Sequence, residues 1–167
     1  MRGLRAGLAA LVLAMAGCAT PPPTGFRDTS APFASISRFE VDRFLGDWQR
    51  VAAFVPAGQA VGPQRLRYLR ASDGRVIGHA STPDGREAVT AYDLPAPGRL
   101  RPAGQGEELW VLWVDEGFRT AVLGTRSGDA AMIIDRGGAP APDRMRAARE
   151  ILDWYGYDMT RLQEVAR

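Results

Sequence analysis

Arg65-Leu66-Arg67-Tyr68-Leu69-Arg70-Ala71-Ser72-Asp73-Gly74-Arg75-Val76-Ile77-Gly78-His79-Ala80-Ser81-Thr82-Pro83-Asp84-Gly85-Arg86 holds two Asp-Gly steps, each flanked by runs of strand length. Asp-Gly readily takes the positive φ angles that a tight hairpin needs, so the stretch reads as strand, turn, strand, turn. The pattern continues both ways. Upstream, Trp48 to Val55 lies between Gly46 and Pro56-Ala57-Gly58. Downstream, Arg86 to Leu94 ends at Pro95-Ala96-Pro97-Gly98, and Leu100 to Pro102 ends before Gly104-Gln105-Gly106. Glu108 to Val114 turns at Asp115-Glu116-Gly117 into Phe118 to Gly124, and Ser127-Gly128-Asp129 opens Ala130 to Asp135. Eight segments spaced by about 8–12 residues predict an all-β meander. An eight-stranded antiparallel up-and-down β-barrel is the economical way to close it, because closure removes both sheet edges.

The C-terminal stretch changes period. Pro142-Asp143 suits a helix start, and Met145, Ala148, Ile151, Leu152 and Tyr155 recur at helical spacing. Gly156 stands where a helix cap is expected, and a short final strand is expected near Leu162 to Val165. One amphipathic helix cannot build a core alone, so an α-helix packed outside the barrel wall is expected.

The N-terminus reads as an export signal. Arg2 and Arg5 precede the apolar run Leu8 to Ala14, and Met15-Ala16-Gly17-Cys18 follows. That run is too short to span a bilayer as a permanent helix. The small residues before Cys18 resemble the lipobox of bacterial lipoproteins, where the signal is removed and the cysteine acylated. Cys18 is the one cysteine in the chain, so it has no internal disulfide partner. Residues 1–17 are therefore expected to be signal peptide, 18–37 a lipidated proline-rich tether containing Pro21-Pro22-Pro23, and 38–167 the folded domain. Ala19 is not the aspartate typical of inner-membrane retention, so the resemblance implies the periplasmic face of the outer membrane. The chain has 21 basic and 19 acidic residues. Loss of Arg2 and Arg5 leaves a formally neutral domain, which argues against nucleic acid as a partner.

Val41-Asp42-Arg43-Phe44-Leu45-Gly46-Asp47-Trp48-Gln49-Arg50-Val51-Ala52 carries a Leu-Gly-x-Trp core. Together with Leu109 to Asp115, Phe118 to Leu123, Ile133-Ile134-Asp135-Arg136 and the Gly156-Tyr157-Asp158 tail, it resembles the lipocalins, in particular bacterial outer-membrane lipoprotein lipocalins. The resemblance implies a barrel-closing signature of Gly46, Trp48 and Arg136, with the arginine lying across the tryptophan. It also implies a non-enzymatic protein that binds, stores or transports a small hydrophobic ligand such as palmitate or a lysophospholipid. Gln49 departs from the tyrosine common in bacterial members, and Ala130-Ala131-Met132 replaces a more aromatic stretch.

Catalytic signals are sparse. His79 is the one histidine, no Gly-x-Ser-x-Gly is present, and no metal-ligand spacing is recognisable. No cofactor is expected. Candidate ligand-lining residues are Tyr68, His79, Ala91, Trp110 and Trp113, with His79 able to grip a head group. Segment 109–114 is apolar on both faces, so one tryptophan is expected to face the cavity and the other the C-terminal helix. Ala52, Ala53, Gly78, Ala80, Ala88 and Ala121 are small wall residues that would leave volume inside. Glu107-Glu108 and Asp115-Glu116 read as solvated turn residues. A lipid-modifying enzyme on the same barrel, or an envelope interaction module with a filled barrel, are the alternatives.

Overall fold

The structure is a computed structural model and describes residues 25–166. Eight strands close into one antiparallel barrel: β1 (Gly46–Phe54), β2 (Arg65–Arg70), β3 (Val76–Ser81), β4 (Glu87–Asp93), β5 (Arg99–Pro102), β6 (Leu109–Val114), β7 (Thr120–Gly124) and β8 (Ala131–Asp135). From β2 to β8 each strand pairs with its sequence neighbour, and β1 closes the ring between β8 and β2. The Asp-Gly turns sit where the hairpins need them, with Gly74 at φ +87° and Gly85 at φ +84°. A short helix, α1 (Val41–Phe44), precedes β1, and β9 (Leu162–Glu164) pairs with the far end of β1.

Helix α2 (Pro142–Trp154) lies outside the barrel. Pro142 occupies its first turn, where the missing N–H costs nothing. Gly156, at φ +83°, ends it: Tyr157 N–H donates to Leu152 O at 3.0 Å and Gly156 N–H to Asp153 O at 2.9 Å. These two bonds satisfy carbonyls that the last turn leaves free.

Antiparallel partners share a face, so the register sorts the wall residues. Trp48, Leu66, Tyr68, Val76, Val111, Ala121, Leu123 and Ile134 belong to the cluster that fills the inside. Phe54, Trp110, Leu112, Val122 and Ile133 face outward and pack with Ala148 and Leu152 of α2 and with Tyr157. Two irregularities break the alternation, between Arg50 and Ala52 in β1 and between Val111 and Trp113 in β6. Each is a β-bulge that shifts the downstream residues by one face.

The expected tether boundary moves. Residues 25–37 are not a solvated leash: Phe26 is buried and Phe33 packs against the outer cluster. Arg27 is only 2% exposed, and its guanidinium donates to the carbonyls of Tyr155, Arg126, Ala31 and Pro32. Ile36 N–H donates to Val111 O at 2.9 Å. The folded unit therefore starts no later than Gly25, because the barrel wall and the chain after α2 form a surface these apolar side chains can cover. Cys18 and the expected signal lie outside the described residues.

Candidate functional site

The end of the barrel at the start of β1 is closed. Gly46, Trp48 and Arg136 meet there. The Arg136 Cζ lies 4.1 Å from the Trp48 ring centroid, within cation–π range. Trp48 Nε1 donates to Phe44 O at 2.8 Å. Arg136 donates through Nε to Phe118 O at 2.9 Å, through Nη1 to Asp47 O at 3.1 Å, and through Nη2 to Arg43 O at 2.6 Å and Leu45 O at 2.9 Å. One guanidinium thus ties the β6–β7 turn to the chain entering β1. Gly46 sits at φ +102°, a backbone conformation that favours glycine, and a Cβ there would lie a tight 3.1 Å from Arg136 Nη1. Burial pulls the Arg136 pKa below the ordinary arginine value, although nearby Asp47 opposes the shift. Phe44, Trp48 and Tyr68 stack at centroid distances of 5.2 and 4.9 Å and make an aromatic floor.

Asp115 completes this end, buried in the β6–β7 turn rather than solvated as expected. Its carboxylate accepts from the N–H groups of Arg119 at 2.6 Å and Thr120 at 2.7 Å and from Arg119 Nε at 2.9 Å. Burial would raise its pKa, but these donors outweigh it and hold the carboxyl below the ordinary aspartate value. Phe118 takes φ +52° in the same turn, an unusual conformation for a bulky residue. The Arg43 guanidinium covers its ring at 4.4 Å.

The opposite half of the barrel is open. Ala53, Ala80, Ala88, Thr90 and Met132 face inward by register. Four of them keep solvent access, and Ala88 is exposed despite its inward position. Strand β4 pairs with β5 only at Tyr92↔Pro102 and Asp93↔Arg101, so its upper half lacks a strand on that side. On the other flank β1 pairs with β2 only from Gly46 to Gln49 and then with β9 from Ala52 to Phe54. A groove of about 540 Å³ opens where β1 parts from β2, lined by Arg50, Pro63, Gln64, Arg65, Met145 and Glu164, among others.

Of the five lining candidates, Tyr68 alone faces the interior. Tyr68 and Tyr92 close over Gly78, where a Cβ would meet Tyr92 Cε2 at 2.8 Å and Tyr68 Cε1 at 3.2 Å. Burial raises the Tyr68 pKa, and Tyr92 adds to the shift. His79 and Ala91 point outward: they pair with Val89 and Ile77, one step out of phase with inward Gly78, Ala80 and Thr90. His79 is exposed on the outer wall. Trp110 and Trp113 both join the outer cluster, because the bulge after Val111 puts them on one face. The expectation that one of them faces the cavity is therefore wrong. Ala52 also faces outward.

Glu108 is likewise structural, not solvated. It accepts from Arg99 and from Trp110 Nε1, and the Arg99 guanidinium lies 4.5 Å from the Trp110 ring centroid. Arg67 and Arg70 are held by Asp47 and Asp42. The residue that the pattern missed is Arg50. It lies on the inward register opposite Ile134, just before the β1 bulge. A charged residue among small apolar ones was a visible signal, but its direction depended on the bulge.

No family model matches the sequence, and no curated protein does. Solved structures are similar in shape. A crystal structure of the major cockroach allergen Per a 4 superposes with a TM-score of 0.61 at 10% identity, covering 83% of this chain and 95% of that one. The siderocalin Ex-FABP, described as functioning through dual ligand specificities, superposes with a TM-score of 0.59 at 16% identity, covering 75% and 95%. At such identities the likeness shows the fold, a lipocalin-like barrel with an outer C-terminal helix.

Proposed function

We propose that this chain is a binding protein that holds a small hydrophobic molecule, such as a fatty acid or lysophospholipid, in the open half of its barrel. One observation carries the reading: small inward residues remain accessible to solvent above a closed aromatic floor. Water over Ala80, Ala88 and Met132 gains by being displaced, at about 25 cal/mol per Å² of apolar surface buried, less the ordering costs. The dual ligand specificities of the siderocalin Ex-FABP are in keeping with a fold that hosts ligands. Binding is favoured over catalysis because His79 stands on the outer wall, away from the open interior. Cys18, acylated at the periplasmic face of the outer membrane, would place the barrel beside its source of ligand. Between Cys18 and Gly25 the chain spans at most about 25 Å, so the domain would stay close to that surface.

Titration of the purified protein with a fluorescent fatty acid tests the pocket. Saturable binding, competed by unlabelled hexadecanoate and weakened about ten-fold or more in Ala88→Phe at unchanged melting temperature, is the expected result. An absence of saturable binding overturns the reading. Metabolic labelling with an alkyne-bearing palmitate analogue tests the anchor, and label retained by Cys18→Ser would exclude it.

A further inference from the structure

We infer that Arg50 receives the head group of the ligand, so that the molecule bound is an amphiphile ending in a single anionic oxygen group, carboxylate or phosphate. This rests on the barrel-binding reading above and sharpens it.

Arg50 is one of the described arginines whose charge no carboxylate meets. Several others at the barrel ends and turns are paired: Arg67 with Asp47, Arg70 with Asp42, Arg99 with Glu108 and Arg119 with Asp115. Arg70 shares the inward register with Arg50, but Asp42 holds it at the closed end. Arg50 has no carboxylate within 4 Å among the described residues. Its Nε and Nη2 donate to Gly62 O at 3.1 and 2.5 Å, which orients the guanidinium without neutralising it. No bond is made by Nη1, and no buried side-chain polar atom among the described residues lacks a partner, so Nη1 is reached by solvent. The side chain is half-buried, and burial alone pulls its pKa below the ordinary arginine value.

The surroundings fit an anion. Arg50 stands where the inward wall meets the groove of about 540 Å³ at the parting of β1 and β2. Arg65 lines the same groove, and Glu164, the carboxylate there, faces Arg149 at 3.4 Å. Ala53, one step past the bulge on the same inward face, leads from Arg50 toward Met132. A neutral apolar ligand in this place would strip water from Nη1 and give nothing in return. An anion offsets that loss with a charge-assisted hydrogen bond, and the planar fork can offer two donors to it.

Competition of a fluorescent fatty acid by hexadecanoate, hexadecyl phosphate and hexadecanol tests the inference, on the wild-type protein and on Arg50→Met and Arg50→Lys. At least one of the two anions should bind about ten-fold or more tighter than hexadecanol to the wild type. The preferred anion separates a fatty acid from a phosphate-headed lipid. Arg50→Met should erase the preference and leave hexadecanol affinity unchanged, while Arg50→Lys should keep part of it. Equal affinity for all three competitors in the wild type overturns the inference, as does an anion preference that survives Arg50→Met. Loss of hexadecanol as well in Arg50→Met means that Arg50 supports the 55–64 loop instead, and also overturns it. If no competitor binds the wild type, the barrel-binding reading itself fails.

Discussion

The Arg136 guanidinium carbon lies 4.1 Å from the centre of the Trp48 ring, and its nitrogens reach the carbonyls of Phe118, Asp47, Arg43 and Leu45. The stacking joins two strands that are adjacent only because the barrel closes. The hydrogen bonds then fasten the β6–β7 turn and the chain entering β1 to the same group.

Trp48→Ala should cost about 3–5 kcal/mol of folding stability, as expected for a fully buried aromatic. Arg136→Met should lose more than a cation–π contact of about 0.5–2 kcal/mol, because several carbonyls lose their donor. Arg136→Lys should rescue little, since an ammonium cannot reach carbonyls in three directions. Urea unfolding of the three variants checks this, and full rescue by lysine would refute the carbonyl account.

Asp115 makes stability depend on acid. Its folded-state pKa is depressed, so its contribution is present above the unfolded aspartate value, near 3.9, and is lost as pH falls through the folded value. Asp115→Asn should therefore be less stable than the wild type at pH 7, and the gap should narrow below about pH 4. Denaturant midpoints measured from pH 7 down to pH 2.5 give the comparison. A gap that stays constant would place the carboxylate's role elsewhere.

The segment before α1 belongs to the fold. A chain beginning at Arg38 would remove Phe26 and Phe33 from the outer cluster and Ile36 from the inner one, each a side chain whose burial is worth about 1.5–3 kcal/mol when complete. That total is a large part of a typical domain's 5–15 kcal/mol, so the shortened chain should melt far lower or fail to fold. Arg27→Met should be destabilising too, because it strips donors from buried carbonyls. Thermal unfolding followed by circular dichroism measures both.

His79→Ala should leave ligand affinity unchanged, because the imidazole is on the outer wall. Ala88→Phe should reduce affinity about ten-fold or more by filling the mouth, with little effect on stability at an exposed position. Fluorescent titration of the two variants side by side is the check. Weakened binding in His79→Ala would mean that the ligand sits on the outside of β3 and β4.

Strands, turns and the outer helix were legible because their signals are local. Asp73-Gly74 and Asp84-Gly85 specify hairpins whatever surrounds them, and Met145, Ala148 and Leu152 repeat every three or four residues. The true start of the folded unit was hidden for a related reason: Phe26, Phe33 and Ile36 are isolated among proline, serine and threonine, and no local period marks them for burial. Their partners come from distant parts of the chain.

By itself the sequence determined the order of elements and the way the barrel had to close, since turn chemistry and hydrophobic period act over a few residues. Only the tertiary structure decided which side each residue of a strand faces. The bulge after Val111 sent both Trp110 and Trp113 outward, and pairing with Val89 and Ile77 turned His79 and Ala91 away from the interior. Inward direction follows from cross-strand register, and one extra residue reverses it. The same dependence hid Arg50, whose place at the mouth comes from the register of β1 against β8.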